Sequence, residues 1–293
     1  MNWSRTNGER VFAVFNTTFM LLLVIITLYP VWYVVCCSLS EPQYIYSYTG
    51  VVVLPMGWNT AAYMRVLTNP AIITGYLNTM FVVIVGTMCN VFMSILGGFV
   101  LSRRDFMIKR GLSLFIVFTM FFQGGLIPSY LVVQWVGLVD SRWALIIPSV
   151  ISTFNMIIVR TNFAAFPQEL EDASTVDGAN ELVLLARIML PVCKPVIAVI
   201  TLFYATGHWN AWLSSVIYLR TRTLYPLQLI LREILIANNV QAMSEGVDLL
   251  DNLAVMATIK YASIIVSTLP ILCIYPFIQK YFVRGVMVGA LKG

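Results

Sequence analysis

The chain has 293 residues, of which 59% are hydrophobic and 11% are charged, and its mean hydropathy is +0.85. This composition excludes an ordinary water-soluble globular protein, because a lipid bilayer is the solvent that accommodates so much apolar surface. The net charge of +5 does not indicate a nucleic-acid partner, since the lysine and arginine residues cluster at the ends of apolar runs.

Six apolar runs are each long enough to cross a hydrocarbon core of about 30 Å as a helix. They lie near residues 11–35, 72–101, 112–135, 143–160, 192–218 and 258–282. The first run is too long for a signal peptide and lacks a small-residue cleavage site, so it is expected to be the first span. Without a long linker or a clear internal repeat, the chain is predicted to form one all-α polytopic membrane domain over residues 1–293.

The placement of basic residues predicts the orientation of these spans. If the chain crosses six times, twelve of the 18 Lys and Arg residues fall on the side of the N-terminus. We therefore expect a multi-pass membrane protein, surrounded by lipid, with both termini and the polar loop at residues 167–191 in the cytoplasm. The two long outer loops, at residues 36–70 and 219–257, either rest at the membrane interface or contact a partner protein.

The polar 167–191 loop is predicted to form two short helices joined by a turn. Pro167 suits a first helical position, and Glu169 and Glu171 place negative charge beside the free N–H groups of the first turn. Gly178 can leave the helix in a left-handed conformation. A second helix is expected from about residue 180, ending at Pro191. Its apolar stripe consists of Leu182, Leu185, Ile188 and Met189. By shape alone, the stretch could equally be an ordinary loop at the membrane surface.

The spacing within this loop resembles the EAA loop of ABC-importer permeases. That pattern is Glu-Ala-Ala, three residues, Gly, nine residues, Ile, one residue and Leu-Pro, and here it falls on residues 172–191. Two positions depart from it, because Asp172 replaces Glu (although Glu171 precedes it) and Ser174 replaces Ala. The resemblance implies a cytoplasmic coupling helix that docks into a cleft on an ATPase. The residues implied in this coupling are Glu171, Asp172, Ala173, Ser174, Asp177, Gly178, Ala179, Ile188, Leu190 and Pro191.

Resemblance to the sugar-importing members of this family extends from about residue 10 to the last residue. It is carried by LSR at 101–103, GGLIP at 124–128, GHWNAW at 207–212, YPLQ at 225–228 and GALKG at 289–293. In the maltose importer a comparable ending reaches into the ATPase dimer, which implies a tail contact by Gly289, Lys292 and Gly293. The motif set resembles most the smaller permeases of alginate-importing members.

The resemblance also implies the assembly: a second permease, two ATPase subunits and an extracytoplasmic sugar-binding protein. ATP and Mg²⁺ would bind the ATPase subunits and this chain would bind no cofactor, because none of its lysines follows glycine as a P-loop requires. Neither an enzyme nor a metal site is expected, since the single histidine has no catalytic partners in the sequence and the five cysteines lack zinc-ligand spacing.

Four residues near the end of the fifth run are candidates for a sugar path, namely His208, Trp209, Asn210 and Trp212. Aromatic faces and hydrogen-bonding edges suit a sugar, and helical spacing would place His208 and Trp212 on one face with Trp209 beside it. The alternative is that the two tryptophans pack between helices or in an aromatic belt while His208 and Asn210 bond across helices.

Two other classes of membrane protein compete with an ATP-driven importer of oligosaccharides. An ion-coupled secondary sugar transporter usually places carboxylates at the bilayer midplane, but none occurs between Phe106 and Val139 or between Leu182 and Arg232. A structural or signalling membrane protein would not explain the spacing of the 167–191 loop. The sequence therefore favours the carbohydrate importer permease.

Overall fold

A computed structural model of the protein describes residues 7–48, 50–241 and 257–273. Within these ranges the chain is helical and contains no strand, apart from one isolated bridge between Ser40 and Trp58. The predicted all-α class is confirmed. The described residues fall into two compact units, one made of residues up to 69 with 233–269, and the other of residues 70–232 with 270–273.

The first unit contains the long helix α1 (Asn7–Ser38), two short helices, α2 (Pro42–Ser47) and α3 (Ala61–Thr68), and most of the last described helix (Ala257–Cys273). The most apolar stretch of α1 has no buried residue, as expected for a helix whose solvent is lipid. Only its end is packed: Cys36 and Cys37 are fully buried against Val52 and neighbouring side chains.

The second unit is built around α4 (Pro70–Ser102), a helix of 33 residues. The chain continues through α5 (Lys109–Phe121), α6 (Leu126–Trp135), a pair of 3₁₀ turns (Arg142–Ser149) and α7 (Thr153–Ala164). It then forms α8 (Gln168–Val176), α9 (Glu181–Val192), α10 (Lys194–Trp209), α11 (Trp212–Tyr218) and a 3₁₀ turn (Arg222–Leu224). The helix α12 (Leu227–Gln241) begins in the second unit, and its residues from Glu233 onward belong to the first.

Helix α4 packs closely against α7 and α10, and glycine makes this approach possible. A Cβ at Gly98 would lie 2.8 Å from Val159 Cγ1 and 3.0 Å from the backbone N of Arg160. Small residues of this kind allow membrane helices to approach backbone to backbone. The core beside this crossing contains Phe99, Val159, Phe163, Met189 and Ile200.

Buried polar side chains fix α4 to the segment that precedes α12. The Asn78 amide donates to the carbonyl oxygens of Thr223 and Tyr225, at 2.8 and 3.1 Å, and the Leu227 N–H donates to Thr79 Oγ1 at 2.9 Å. Such bonds satisfy backbone groups that have no water nearby. Asn78 is therefore an interhelical contact, the role that intramembrane amides usually have.

Two of the six predicted spans are bent in the structure, and a third bend lies at the start of the predicted 192–218 span. The 112–135 stretch consists of α5 and α6, which meet at 114° across residues 122–125, where Gly125 has φ +83°. The Arg142–Ser149 turns meet α7 at 47°, and α9 meets α10 at 85° around Cys193. In the described ranges two helices are long and apolar enough to cross a membrane, or up to five if each bent pair is one span. The count of six remains a prediction.

Candidate functional site: the 167–191 loop and a polar cavity

Helices α8 and α9 of the 167–191 loop are joined by a tight glycine turn. Gly178 has φ +79°, and its N–H donates to the Thr175 carbonyl at 3.0 Å while the Ala179 N–H donates to the Ser174 carbonyl at 2.9 Å. This pattern ends a helix in a left-handed residue, a conformation that favours glycine. Asn180 then starts α9, because its Oδ1 accepts from the Val183 N–H at 2.9 Å.

The second helix of the loop differs from the expected amphipathic helix. Residues 184–189 form a π-helical turn, in which the backbone bonds span five residues instead of four. This wider turn changes the buried stripe to Leu184, Leu185 and Met189, so the placement of Leu182 in the stripe was wrong: it is 69% exposed. Helix α9 ends at Val192, one residue after Pro191, and Pro167 precedes the first helical residue of α8.

A single arginine at the end of α4 holds both helices of the loop. Arg103 Nη1 lies 2.8 Å from Glu171 Oε2 on α8, and Nη2 lies 3.2 Å from Glu181 Oε1 on α9. The guanidinium also lies over the Phe99 ring, 5.6 Å from its centroid. The LSR motif alone did not predict this role for Arg103, because a charge pair 68 residues apart leaves no local signal in the sequence.

The residues implicated in coupling divide into an inner and an outer set. Ser174 is 5% exposed and donates to the Glu171 carbonyl at 2.7 Å, while Ile188 and Leu190 pack against the core of the second unit. Ala179 is half-buried. The outer set is exposed and consists of Asp172, Ala173, Asp177, Gly178 and Pro191. Val176, which is 88% exposed, lies beside it. The outer set gives the loop a surface of mixed acidic and apolar character.

A polar cavity of about 520 Å³ lies in the second unit between α4, the Arg142–Ser149 turns, α7, α10 and α11. Its polar lining includes Asn90, Ser152, Asn155, Tyr204 and His208. The volume is within the range of small-molecule sites, in which a few polar groups stand among apolar ones.

The wall of the cavity is held by hydrogen bonds across helices. Tyr204 Oη on α10 lies 2.6 Å from Ser94 Oγ on α4 and accepts from the Ser152 N–H at 3.0 Å. His208 Nε2 lies 2.7 Å from Asn90 Oδ1, and the Asn90 amide donates to the Ser149 carbonyl at 2.5 Å. Each bond joins two different elements, so the cavity depends on how α4, α7 and α10 pack.

Of the four path candidates, His208 alone lines this cavity. Trp209 is 4% exposed and packs edge-on against the Tyr76 ring. The Asn210 side chain donates a hydrogen bond to the Thr206 carbonyl at 2.9 Å. Trp212 is 39% exposed, and the Arg232 guanidinium lies over its ring. The helical spacing used for the prediction does not hold, because α10 ends at Trp209 and α11 begins at Trp212. The tail residues Gly289, Lys292 and Gly293 lie outside the described residues.

Asp140 connects two loops on the side of the cavity that is predicted to be extracytoplasmic. Its Oδ1 accepts from the N–H groups of Arg220 and Thr221, both at 2.8 Å, and its Oδ2 accepts from the Thr221 hydroxyl at 2.5 Å. These bonds to the ionised form, first of all the one from the Thr221 hydroxyl, lower the pKa of Asp140. Asp140 has φ +62°, which an aspartate tolerates better than most residues.

Comparison with known proteins identifies relatives along nearly the whole chain. The polygalacturonan/rhamnogalacturonan transport system permease protein YtcP of Bacillus subtilis is 36% identical over 97% of this chain and 99% of its own length. Protein LplC of the same organism is 35% identical over 98% of this chain and 97% of its own length. This chain belongs to the permease subunits of carbohydrate ABC transporters.

The fold comparison agrees with this assignment. A chain from the crystal structure of a bacterial ABC transporter involved in the import of the acidic polysaccharide alginate matches with a TM-score of 0.87 and 29% identity. The match covers 96% of this permease and all of that chain. No protein-family model matches the sequence.

The predicted family is therefore confirmed, and the chain is a bacterial membrane component of an ABC importer for carbohydrate. The ion-coupled carrier considered as an alternative is not supported. As an ABC transporter permease, the chain works in a complex with the other subunits of such a transporter.

Proposed function

We propose that this permease forms half of the translocation path of an importer for acidic oligosaccharides. The relative named for polygalacturonan and rhamnogalacturonan and the structure named for alginate both concern polysaccharides that contain uronic acids. The other subunits would be a second permease, two ATPases and an extracytoplasmic sugar-binding protein. ATP and Mg²⁺ bind the ATPases, and this chain contributes no catalytic residue.

The coupling of this permease to an ATPase is inferred from the contact of Arg103 with both helices of the 167–191 loop. Arg103 directly follows α4, the helix that bears Asn90 in the wall of the polar cavity. A loop that moves with an ATPase would therefore also move α4, which forms one wall of the translocation path. The exposed residues Asp172, Ala173, Asp177 and Gly178 form the docking surface, with Val176 as an apolar contact.

An apolar groove of about 710 Å³ along α9 and α10 is proposed as the face for the second permease. The small residues Ala186, Ala198 and Ala205 are among those that line it. Small side chains allow a neighbouring membrane helix to pack closely. The tail contact of Gly289, Lys292 and Gly293 with the ATPases is part of the same proposal, on the strength of the resemblance of the GALKG ending.

The proposed topology has six spans, with both termini and the 167–191 loop in the cytoplasm. It is supported by the excess of basic residues on one side. A cysteine at position 178 should react with an impermeant thiol reagent only in inside-out vesicles, and reaction in intact cells would exclude this topology.

Substrate-stimulated ATP hydrolysis by the reconstituted complex tests the proposed function. The complex is supplied with a panel of neutral oligosaccharides and of oligosaccharides rich in uronic acids. We expect stimulation by acidic members of the panel. Stimulation by neutral sugars alone would contradict the substrate class, and hydrolysis that no sugar stimulates would contradict a role in carbohydrate import.

A further inference from the structure

We propose that the polar cavity holds one sugar ring through its hydroxyl groups, with Asn155 and His208 as the contacting residues, and that it leaves the carboxylate of an acidic sugar outside. The proposal rests on the proposed function, because it specifies how this permease recognises its carbohydrate. In this proposal the cavity is a subsite that recognises the hydroxyl groups of a sugar and does not distinguish a charged sugar from a neutral one.

Asn155 is the polar group in the cavity whose side chain is left for a ligand. It lies on α7, is 5% exposed, and lines the cavity. Its backbone N–H donates to Ser152 Oγ at 3.4 Å, but its side-chain amide has no hydrogen bond among the residues that the structure describes. Among the described residues, this amide is not one of the fully buried polar groups that lack a partner, so it is open to the cavity and a ligand can reach it. A sugar hydroxyl can both donate to its oxygen and accept from its nitrogen.

His208 lines the same cavity and is 7% exposed. The Asn90 amide nitrogen donates to the Ser149 carbonyl, so the Asn90 Oδ1 is the atom that faces His208 Nε2 and accepts its proton. In the neutral imidazole with its proton on Nε2, Nδ1 is an acceptor, and no hydrogen bond to it is found in the described part of the chain. Gly86 allows this arrangement, since a Cβ there would lie 2.6 Å from His208 Nε2.

The lining carries no formal charge, since no Asp, Glu, Lys or Arg is among the described residues that form it. A sugar carboxylate bound inside would lose its hydration without gaining a cation, which is costly. In a hexuronate the hydroxyls on C2 and C3 lie across the ring from the carboxylate on C5. A ring can therefore place these hydroxyls against Asn155 and His208 while its carboxylate remains outside. Phe203, which is 39% exposed, adds an aromatic side chain to the lining.

The test uses the whole reconstituted complex in lipid nanodiscs, without other reactive cysteines and with a cysteine at Ser214, which lines the cavity. The rate at which a neutral thiol reagent labels this cysteine is measured with increasing trigalacturonate or with its methyl ester, which has the same rings without the charge. We expect both sugars to slow labelling, with half-protecting concentrations within about threefold of each other. Asn155→Leu should raise both concentrations about tenfold, the effect of losing roughly 1.4 kcal/mol.

Asn162→Leu, on the same helix but outside the lining, is the matched control and should leave both concentrations unchanged. If the leucine variant does not assemble, Asn155→Ala should give the same tenfold increase. The inference is overturned if neither sugar protects the wild type, if the variant at Asn155 binds normally, or if acid and ester differ by tenfold or more. Trigalacturonate that stimulates ATP hydrolysis of the wild type without these effects would leave the proposed function standing.

Discussion

Arg103 makes two ion pairs with one side chain, and we expect its loss to uncouple the 167–191 loop from α4. The guanidinium and the Glu171 carboxylate are 21% and 25% exposed, whereas Glu181 is 61% exposed, so most of the effect should come through Glu171. Arg103→Gln should cost on the order of 1 kcal/mol, as for a partly screened pair. If this cost falls on the coupling between the loop and α4, it corresponds to about a fivefold change, so substrate-stimulated ATP hydrolysis should fall with normal amounts of permease in the membrane.

Arg104→Gln is the matched control for this prediction. Among the described contacts, the Arg104 side chain makes one hydrogen bond, to Gln168 Oε1 on α8 at 2.6 Å. It should keep most of the stimulated activity. A charge reversal that combines Arg103→Glu with Glu171→Arg should recover part of it. Equal activity of wild type and Arg103→Gln would show that the two ion pairs do not transmit motion.

Asp140 should make the stability of the permease sensitive to acid. Its pKa in the folded protein is below the ordinary value because of its bonds to Thr221 and Arg220, so its stabilisation is present at neutral pH. The contribution is lost as the pH falls below about 4, through the folded-state pKa. Asp140→Asn should lower the melting temperature at pH 7, and the difference from wild type should shrink toward about pH 3. A difference that stays constant over this range would mean that charge is not involved.

At the level of single residues, local chemistry was predictable and distant partners were not. Gly178 and Asn180 could be placed in the turn because the backbone conformation of a helix end selects their residue types. The contacts of Arg103 and Asp140 could not, since their partners are 68 to 81 residues away. The role of Trp212 was argued from an i,i+4 spacing that the break after Trp209 removes.

Among the helices, the packing of α4 on α7 depends on Gly98, and we expect Gly98→Ala to separate them. The new Cβ would lie 2.8 Å from Val159 and 3.0 Å from the Arg160 backbone nitrogen, which cannot move alone. Overpacking of this kind costs about 1–3 kcal/mol. The melting temperature of the purified permease in detergent should fall clearly.

Gly97→Ala provides the comparison on the adjacent position. Its Cβ would meet Met156 Sδ at 2.6 Å, the end of a flexible side chain that can move aside. This variant should therefore retain more stability than Gly98→Ala. The reverse order of the two melting temperatures would contradict the packing described for α4 and α7.

Apolar length located these helices in the sequence but did not show where they bend. The 112–135 run is apolar throughout, yet the chain breaks at Gly124 and Gly125 ahead of α6. The 85° bend lies at Cys193, between Pro191 and Pro195, where two residues without a backbone N–H interrupt the helical bonding. Hydropathy averages over such positions, so glycine and proline inside a run are the signal that locates the breaks.

For the whole molecule, the family follows from the spacing of residues 172–191 and from similarity along the chain. The polar cavity could not be predicted in the same way, because its lining comes from helices separated by more than a hundred residues. We infer that the 167–191 loop connects an ATPase to this cavity. A substitution at Gly178 tests this connection with the least disturbance.

Sugar uptake and ATPase co-purification of the Gly178→Val complex show whether the loop makes this connection. No atom lies within 4 Å of a Cβ built there, so the substitution adds strain at φ +79° without a clash, at about 1–2 kcal/mol. Gly137→Val is the matched control, with φ +76° and equally open space in a loop predicted to lie outside the cell. We predict normal amounts of both variants in the membrane, with uptake and bound ATPase lost only in Gly178→Val. Near-normal uptake and full ATPase co-purification by Gly178→Val would contradict a role of the 167–191 loop in coupling.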